Sequence, residues 1–514
     1  MASKTYSAAV IGLDAVPVET EADIGQGLPN FVIVGLPDAS VQEARERVKT
    51  ALKNSGLPFP RTRLTVNLAP ADIKKEGPAY DLPIAVAICL AGNAAGGEAM
   101  DKRIFIGELA LDGSLRPVSG ALPIAMMALE RGFNEMFLPA GNAEEASLVC
   151  RRDGTADDQL RIYPVRHLPQ LIMHLRGEAV IEPYRLAPDA AAAKRANDAG
   201  DFDFAYIKGQ MQAKRALEIA AAGGHNLLFS GPPGAGKTLL ARSLPSILPP
   251  MDPAETLEVT KIYSVAGLTG HGRLVAERPF RSPHHTASGA ALIGGGSWPK
   301  PGEVSLAHRG VLFLDEFPEF SRAVLENLRQ PLEDGFVTIS RSQGSLRFPA
   351  KFILVAAQNP CPCGYASDPD AVCTCPPAQV IRYRKKISGP LLDRIDLHIE
   401  VPKIKFSELF DKETPEPSAA VRRRVERARA AQADRFRQSS IFTNSEMNQR
   451  LLKRFCLLDS RTEALLRAAS ERLKLSARAY GRVIKIARTI ADLDGTADIS
   501  QEHAAEALHF RERQ

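Results

Sequence analysis

The stretch Gly231-Pro-Pro-Gly-Ala-Gly-Lys-Thr238 constrains this chain most, because the apolar run Asn226-Leu-Leu-Phe-Ser230 precedes it and Leu239-Leu-Ala-Arg-Ser-Leu244 follows. A short buried strand, a glycine-rich turn and a helix start together make a phosphate cradle. Backbone N–H groups wrap the phosphates and the helix N-terminus adds partial positive charge. Gly231, Pro232, Pro233, Gly234, Ala235 and Gly236 would form the turn, Lys237 would reach the β- and γ-phosphates, and the Thr238 hydroxyl would ligate Mg²⁺. A chance glycine-rich turn would lack the flanking strand and helix. The pattern points to a bound nucleotide, ATP or GTP, and to an α/β domain with a parallel sheet.

Downstream, Gly310-Val-Leu-Phe-Leu-Asp315-Glu316 is an apolar strand ending in two acids. Asp315 would hold Mg²⁺ through water and Glu316 would act as general base on the attacking water. Adjacent acids are usually a solvated pair, but here they cap a buried strand behind a phosphate loop. A second buried strand, Lys351-Phe-Ile-Leu-Val-Ala-Ala-Gln-Asn359, also ends in a polar residue. This order resembles AAA+ ATPases, and the resemblance implies that Asn359 orients the lytic water. Gly389-Pro-Leu-Leu-Asp-Arg394-Ile-Asp-Leu-His398 resembles the segment that gives an arginine finger to a neighbouring subunit, implying that role for Arg394; a surface salt bridge to Asp393 or Asp396 is the alternative. Leu475-Ser-Ala-Arg478-Ala-Tyr480 resembles the second sensor, implying that Arg478 reaches the γ-phosphate, in its own subunit or across an interface.

At 514 residues the chain exceeds a single core, and roughly three domains are expected. No run of about 18 apolar residues and no signal-peptide layout is present, so the reading is a cytoplasmic protein. Charge is uneven: residues 401–514 carry 23 Lys and Arg against 16 Asp and Glu, the preceding 400 residues 42 against 44. A basic C-terminal part suits either nucleic acid or a solvated helical surface.

Residues 1–177 read as an α+β domain. Strands are expected at 7–13, 16–22, 30–35, 63–68 and 135–138, helices at about 40–53, 82–91 and 121–131, and a hairpin from 104–111 and 114–118 around Asp112-Gly113. Ser40-Val-Gln-Glu43 reads as a capping box, with Val41, Ala44, Val48 and Leu52 at helical spacing. This segment resembles the proteolytic domain of Lon-type proteases, in the ribosomal S5-like fold. Gly77-Pro78-Ala79 stands where that family has its serine, and Ser119-Gly120 aligns Leu122 with its lysine; neither Ala79 nor Leu122 can act as nucleophile or base, so no peptidase activity is expected. A linker at 178–205, an ATPase domain at 206–405 and a helical lid at 406–514 complete the expected organisation. In the lid Ser460-Arg-Thr-Glu463 reads as a capping box, and Ser476 and Ser500 as caps.

Pro279-Phe-Arg-Ser-Pro-His-His-Thr-Ala-Ser288, Gly310 to Glu319, Asn359-Pro-Cys-Pro-Cys-Gly-Tyr365 and Ser388 to His398 resemble the YifB/ComM family of magnesium-chelatase-like AAA+ proteins over nearly the whole chain. The resemblance implies an Mg²⁺- and ATP-dependent hexameric helicase that drives DNA branch migration during integration of transforming strands. It places an insertion at about 269–305 in helix 2 of the ATPase domain and a hairpin at 336–348, both toward the pore of a ring. Arg281, His284, His285, Lys300, Arg341 and Arg347 are thereby candidates for DNA contact. The histidines can instead be metal ligands or loop-packing residues. Cys361, Cys363, Cys373 and Cys375 suffice for a closed structural zinc site, although C-x-C departs from the usual C-x₂-C; four reduced thiols or a redox pair are the alternatives. Other readings are a chelatase motor subunit acting with protein partners, an ATP-dependent protease opposed by Ala79 and Leu122, and a scaffold that binds ATP without turnover.

Overall fold

The computed structural model describes residues 3–96, 100–151, 160–185, 202–269, 274–296, 299–341, 344–368, 370–404, 415–439, 441–473 and 475–511; the side chains of 151, 341 and 344 are outside that description. By contacts the chain forms two compact units, Met1–Ala193 with Asp252–Ala276, and Lys194–Met251 with Glu277–Gln514. Most of the expected linker, residues 186–201, lies outside the described residues.

The first unit is built on a seven-stranded sheet: β1 (Ser3–Ile11), β2 (Asp14–Gly25), β3 (Asn30–Val34), β4 (Arg63–Ala69), β5 (Arg103–Phe105), β6 (Glu135–Pro139) and β7 (Arg161–Val165), in the order β3-β4-β2-β1-β5-β6-β7. Helix Ala39–Asn54 buries Val41, Ala44, Val48 and Leu52 on one face, as their spacing requires. Its cap is not Ser40 but Asp38, whose carboxylate accepts from the Val41 amide at 2.8 Å and also from Gly77 N at 3.2 Å. Asp38 stands just before the first helical residue, Ala39, whereas Ser40 is already inside the helix, and it ties the helix start to a distant loop at once. The expected hairpin shrinks to Glu108–Leu109 paired with Leu115–Arg116, because Arg103–Phe105 joins the large sheet instead. Ala79 lies in the short turn Pro78–Tyr80 and packs against the same apolar cluster that contains fully buried Leu122. The positions aligned with a serine–lysine pair are therefore part of a hydrocarbon core. Helix Pro253–Ala266, opened by a capping box of Asp252 and Glu255, belongs to this unit: the Gly120 amide donates to Ser264 O at 3.0 Å and Lys261 pairs with Asp14 at 2.8 Å.

In the second unit the apolar runs become β8 (Leu227–Ser230), β9 (Phe280–Arg281), β10 (Val311–Leu314), β13 (Ile353–Gln358) and β14 (Leu397–Glu400), with a separate antiparallel hairpin of β11 (Phe336–Arg341) and β12 (Gly344–Pro349). The five-stranded sheet runs β9-β10-β13-β8-β14, all parallel, which explains why its strands are nearly continuous hydrophobic runs rather than alternating ones. The edge strand β9 lies within the expected insertion 269–305, so that segment contributes to the sheet before it departs as a short helix, Gly289–Ile293, and a small strand pair. The C-terminal helices Ser418–Arg435, Ser460–Arg472, Ala477–Leu493 and Gln501–His509 share one core with this sheet: Val425, Leu466, Val483 and Ala507 belong to the cluster of Phe229, Phe313 and Val355. The helices expected as a lid at 406–514 thus pack into the same core as the parallel sheet, and residues 405–414 lie outside the described residues. Asp459, rather than Ser460, caps its helix by accepting from Thr462 N at 2.7 Å, whereas Ser476 and Ser500 cap as their sequence predicts.

Candidate active site

Gly231 follows β8 directly, and a Cβ there would stand 2.1 Å from Val401 O, so only glycine lets the turn leave the sheet between its neighbours. Gly234 and Gly236 adopt φ of 77° and 87°, with open space where side chains would be, before helix Lys237–Ile247 begins. This backbone fits a phosphate cradle. The Lys237 ammonium donates to Gly231 O at 2.6 Å, Pro232 O at 2.9 Å and Asn359 Oδ1 at 3.0 Å, and burial pushes its pKa down. Thr238 Oγ1 donates to Asp315 Oδ2 at 2.9 Å. A hydroxyl and a carboxylate oxygen adjacent to a phosphate loop are the hard donors Mg²⁺ takes.

The parallel register explains the gathering: β8, β10 and β13 are neighbours, so Gly231, Asp315 and Asn359 emerge at one edge, the C-terminal ends of the strands. Glu316 adopts φ 50° and ψ 44°, an uncommon left-handed conformation for a non-glycine residue, which costs on the order of 1–3 kcal/mol and is held here by the Asp315 carboxylate accepting from its amide at 2.9 Å. Its carboxylate lies 3.1 Å from His285 Nδ1. His285 in turn packs against His284, the rings tilted by 33° with centroids 4.1 Å apart. The pairing of His285 with the general-base candidate had no signal in sequence, since 30 residues of chain separate them.

Arg394 and Arg478 are not among the partners of that loop. Arg394 donates to Pro390 O at 2.7 Å and pairs with Glu333; Arg478 pairs with the other oxygen of Glu333 at 2.5 Å. Glu333, on the short helix Arg329–Asp334, thus collects both arginines, and the hydrogen bond from Arg394 first of all holds its carboxyl below the usual range. Sequence reading missed Glu333, which lies in no motif. Two residues after Arg394, buried Asp396 receives Arg482 from helix Ala477–Leu493, and His225 Nδ1 lies 3.4 Å away. Burial pushes the Asp396 carboxyl up, but Arg482 and His225 more than reverse this, so it remains ionised and ties the segment around Arg394 to the C-terminal helices.

Of the candidate DNA contacts, Arg281 is engaged with Glu303 through two bonds of 2.6 and 2.7 Å, and His284 Nδ1 lies 2.9 Å from Thr286 Oγ1. Lys300 is exposed on the short strand Lys300–Pro301, and Arg347 is exposed on β12 with its guanidinium 3.6 Å from the Phe336 ring centre. The Arg341 side chain lies outside the described residues. The four cysteines do converge: Cys361, Cys363, Cys373 and Cys375 place their sulfurs within 4.8 Å of one another. No helix among the described residues is long and apolar enough to cross a membrane.

Three family models match consecutive parts of the chain: "Subunit ChlI of Mg-chelatase" at residues 20–142, "Magnesium chelatase, subunit ChlI" at 203–409 and "Magnesium chelatase, subunit ChlI C-terminal" at 415–511. Competence protein ComM of Haemophilus influenzae is 44% identical over 509 residues, covering 98% of this chain and 96% of that protein. YifB of Escherichia coli is 41% identical over 510 residues, covering 99% and 97%. The magnesium-chelatase 38 kDa subunit of Cereibacter sphaeroides is 29% identical over 176 residues, covering 31% of this chain and 53% of that protein. Identity of this extent across the phosphate loop, the acid pair and the C-terminal helices means that the chain belongs to the YifB/ComM family of magnesium-chelatase-like AAA+ proteins.

Proposed function

We propose that this protein is an Mg²⁺-dependent ATPase whose site is completed by a second copy of the chain, and that it works as a ring, hexameric in the family reading, to move DNA. The observation that carries the reading is that two sets of residues pair within themselves and not with each other. Lys237, Thr238, Asp315, Glu316 and Asn359 gather at the phosphate loop, while Arg394 and Arg478 gather on Glu333. Thr238 and Asp315 would hold Mg²⁺, which supplies Lewis-acid stabilisation of phosphate charge when bound. Glu316 would take the proton of the attacking water, Asn359 would orient that water, and Lys237 would neutralise charge on the phosphates. Arg394 and Arg478 would enter together from the neighbouring subunit, because one carboxylate positions both.

Action on DNA is supported by exposed Lys300 and Arg347, by the basic C-terminal residues, and by the name of the competence protein that is similar along its whole length. Phosphate pairing by such residues gives salt-sensitive binding without sequence preference, as a translocating motor requires. A motor acting on a protein partner, as in a chelatase, is the second reading, favoured by the similarity to the 38 kDa subunit across the shared segment. ATP turnover measured with single-stranded, double-stranded and branched DNA separates the two: the DNA reading predicts stimulation that falls with salt, and unchanged turnover at low salt refutes it.

A further inference from the structure

The described residues between β13 and helix Pro377–Arg384 form no strand or helix of their own, yet the chain returns on itself so that two Cys-x-Cys pairs meet. Cys361 Sγ lies 3.3 Å from Cys363 Sγ and 3.7 Å from Cys373 Sγ, Cys363 and Cys373 are 3.6 Å apart, and Cys375 Sγ accepts from the Cys363 amide at 3.4 Å. Four thiolates around one Zn²⁺ at about 2.3 Å stand about 3.8 Å from each other in a tetrahedron. The three separations among Cys361, Cys363 and Cys373 are close to that edge length, and all four sulfurs lie within 4.8 Å of one another. A disulfide needs about 2.05 Å, which none of these pairs approaches. A multi-iron cluster would need room for inorganic sulfide between the thiolates, and these are nearly in contact. No histidine or carboxylate joins the group among the described residues.

We infer that Cys361, Cys363, Cys373 and Cys375 bind one structural zinc ion, and that this ion braces the ATP site. Binding exchanges thiol protons for the metal, so up to four protons are released to solvent as the site loads. The position of the loop gives the ion its second role. Asn359, which holds Lys237, lies two residues before Cys361. Gly364, directly after Cys363, has φ 88°, and a Cβ there would stand 2.7 Å from Pro233 Cδ. The cysteine loop therefore lies against the phosphate loop at Pro233 while its entry carries Asn359. A loop with so little core of its own needs the chelate to stay there. This second role rests on the ATPase reading; the metal site does not.

The test is elemental analysis of the full-length protein, expressed with both zinc and iron supplied and purified without chelator, beside Cys363→Ser/Cys375→Ser. About one zinc per chain in the natural protein, absent from the variant, is the expected result. One iron per chain, or no metal with thiols reactive toward a thiol reagent or joined as disulfides, overturns it. Should the variant fold poorly, exchange of the natural protein with Co²⁺ keeps the question open to a direct answer. The intense visible bands of a tetrahedral tetrathiolate site are expected, and their absence refutes the inference. Zinc removal is further expected to slow ATP turnover on the order of 10- to 100-fold through misplaced Asn359. An unaltered rate in zinc-free protein overturns the bracing role, and a natural protein with zinc but without turnover overturns the ATPase reading alone.

Discussion

Mixing of singly inactivated chains tests where Arg394 and Arg478 act. Glu333 holds both guanidinium groups, and neither of these arginines pairs with Lys237, Thr238 or Asn359. In a ring with heterologous interfaces, each site would take its phosphate loop from one chain and both arginines from the next. Loss of an arginine finger costs about 10³- to 10⁵-fold in rate, or about 4–7 kcal/mol, so Arg394→Ala alone should be nearly inert. Lys237→Ala should be inert for want of phosphate binding. When the two variants are mixed in equal amounts and subunits exchange, about a quarter of interfaces join an intact loop to an intact arginine pair, and about a quarter of the natural turnover should return if sites act independently. Lys237→Ala with Arg478→Ala should recover to the same extent. Arg394→Ala with Arg478→Ala should not recover, because every neighbour then lacks one arginine. Phosphate release by a coupled assay reads all three, with differently tagged chains showing that mixed rings form. Recovery in the third mixture with none in the second would move Arg478 back into its own subunit and refute the shared role of Glu333.

Other consequences are local. Glu333→Gln removes the charge that positions both arginines, and turnover should fall about 10-fold while ATP affinity, set at Lys237, stays the same; a change in affinity alone would contradict this. His285→Ala frees the Glu316 carboxylate and should raise turnover without DNA about 3- to 10-fold, the scale of one charge-assisted hydrogen bond at a half-exposed site. A fall in that rate would show that His285 supports the base rather than restrains it. Burial, with Arg511 second, pushes the His398 imidazole down to about 4. The unfolded chain thus binds a proton between about pH 6.5 and 4 that the folded chain refuses, so stability drops as pH falls through that window, by on the order of 3 kcal/mol. In His398→Gln, chemical denaturation at pH 7 and pH 5 should show a smaller difference than in the natural protein; an equal difference refutes the assignment.

The parallel sheet was legible because three of its strands are apolar runs that lead straight into residues with chemical use: Ser230 into the loop, Leu314 into the acids, Gln358 into Asn359. Strand order then brings Gly231, Asp315 and Asn359 together, a consequence of parallel pairing that needs no further information. Local signals competed less well where two cap residues stood within two positions of each other. Asp38 and Asp459 won over Ser40 and Ser460, since an aspartate one or two residues earlier reaches the first free amides. Contacts between distant segments carried no local signal. The pairing of Glu333 with Arg394 and Arg478, of His285 with Glu316, and the placement of helix Pro253–Ala266 in the first unit all depend on tertiary packing. The cysteine cluster lay between these extremes: its residues were evident, while their convergence required the fold.

The most direct measurement for the central claim is steady-state ATP turnover by the full-length protein and by Glu316→Gln, each with and without branched DNA at low and high salt. The account predicts Mg²⁺-dependent turnover that branched DNA stimulates at low salt, with loss of turnover in Glu316→Gln while ATP and DNA still bind. Turnover that is indifferent to DNA at low salt, or that survives in Glu316→Gln, would contradict it.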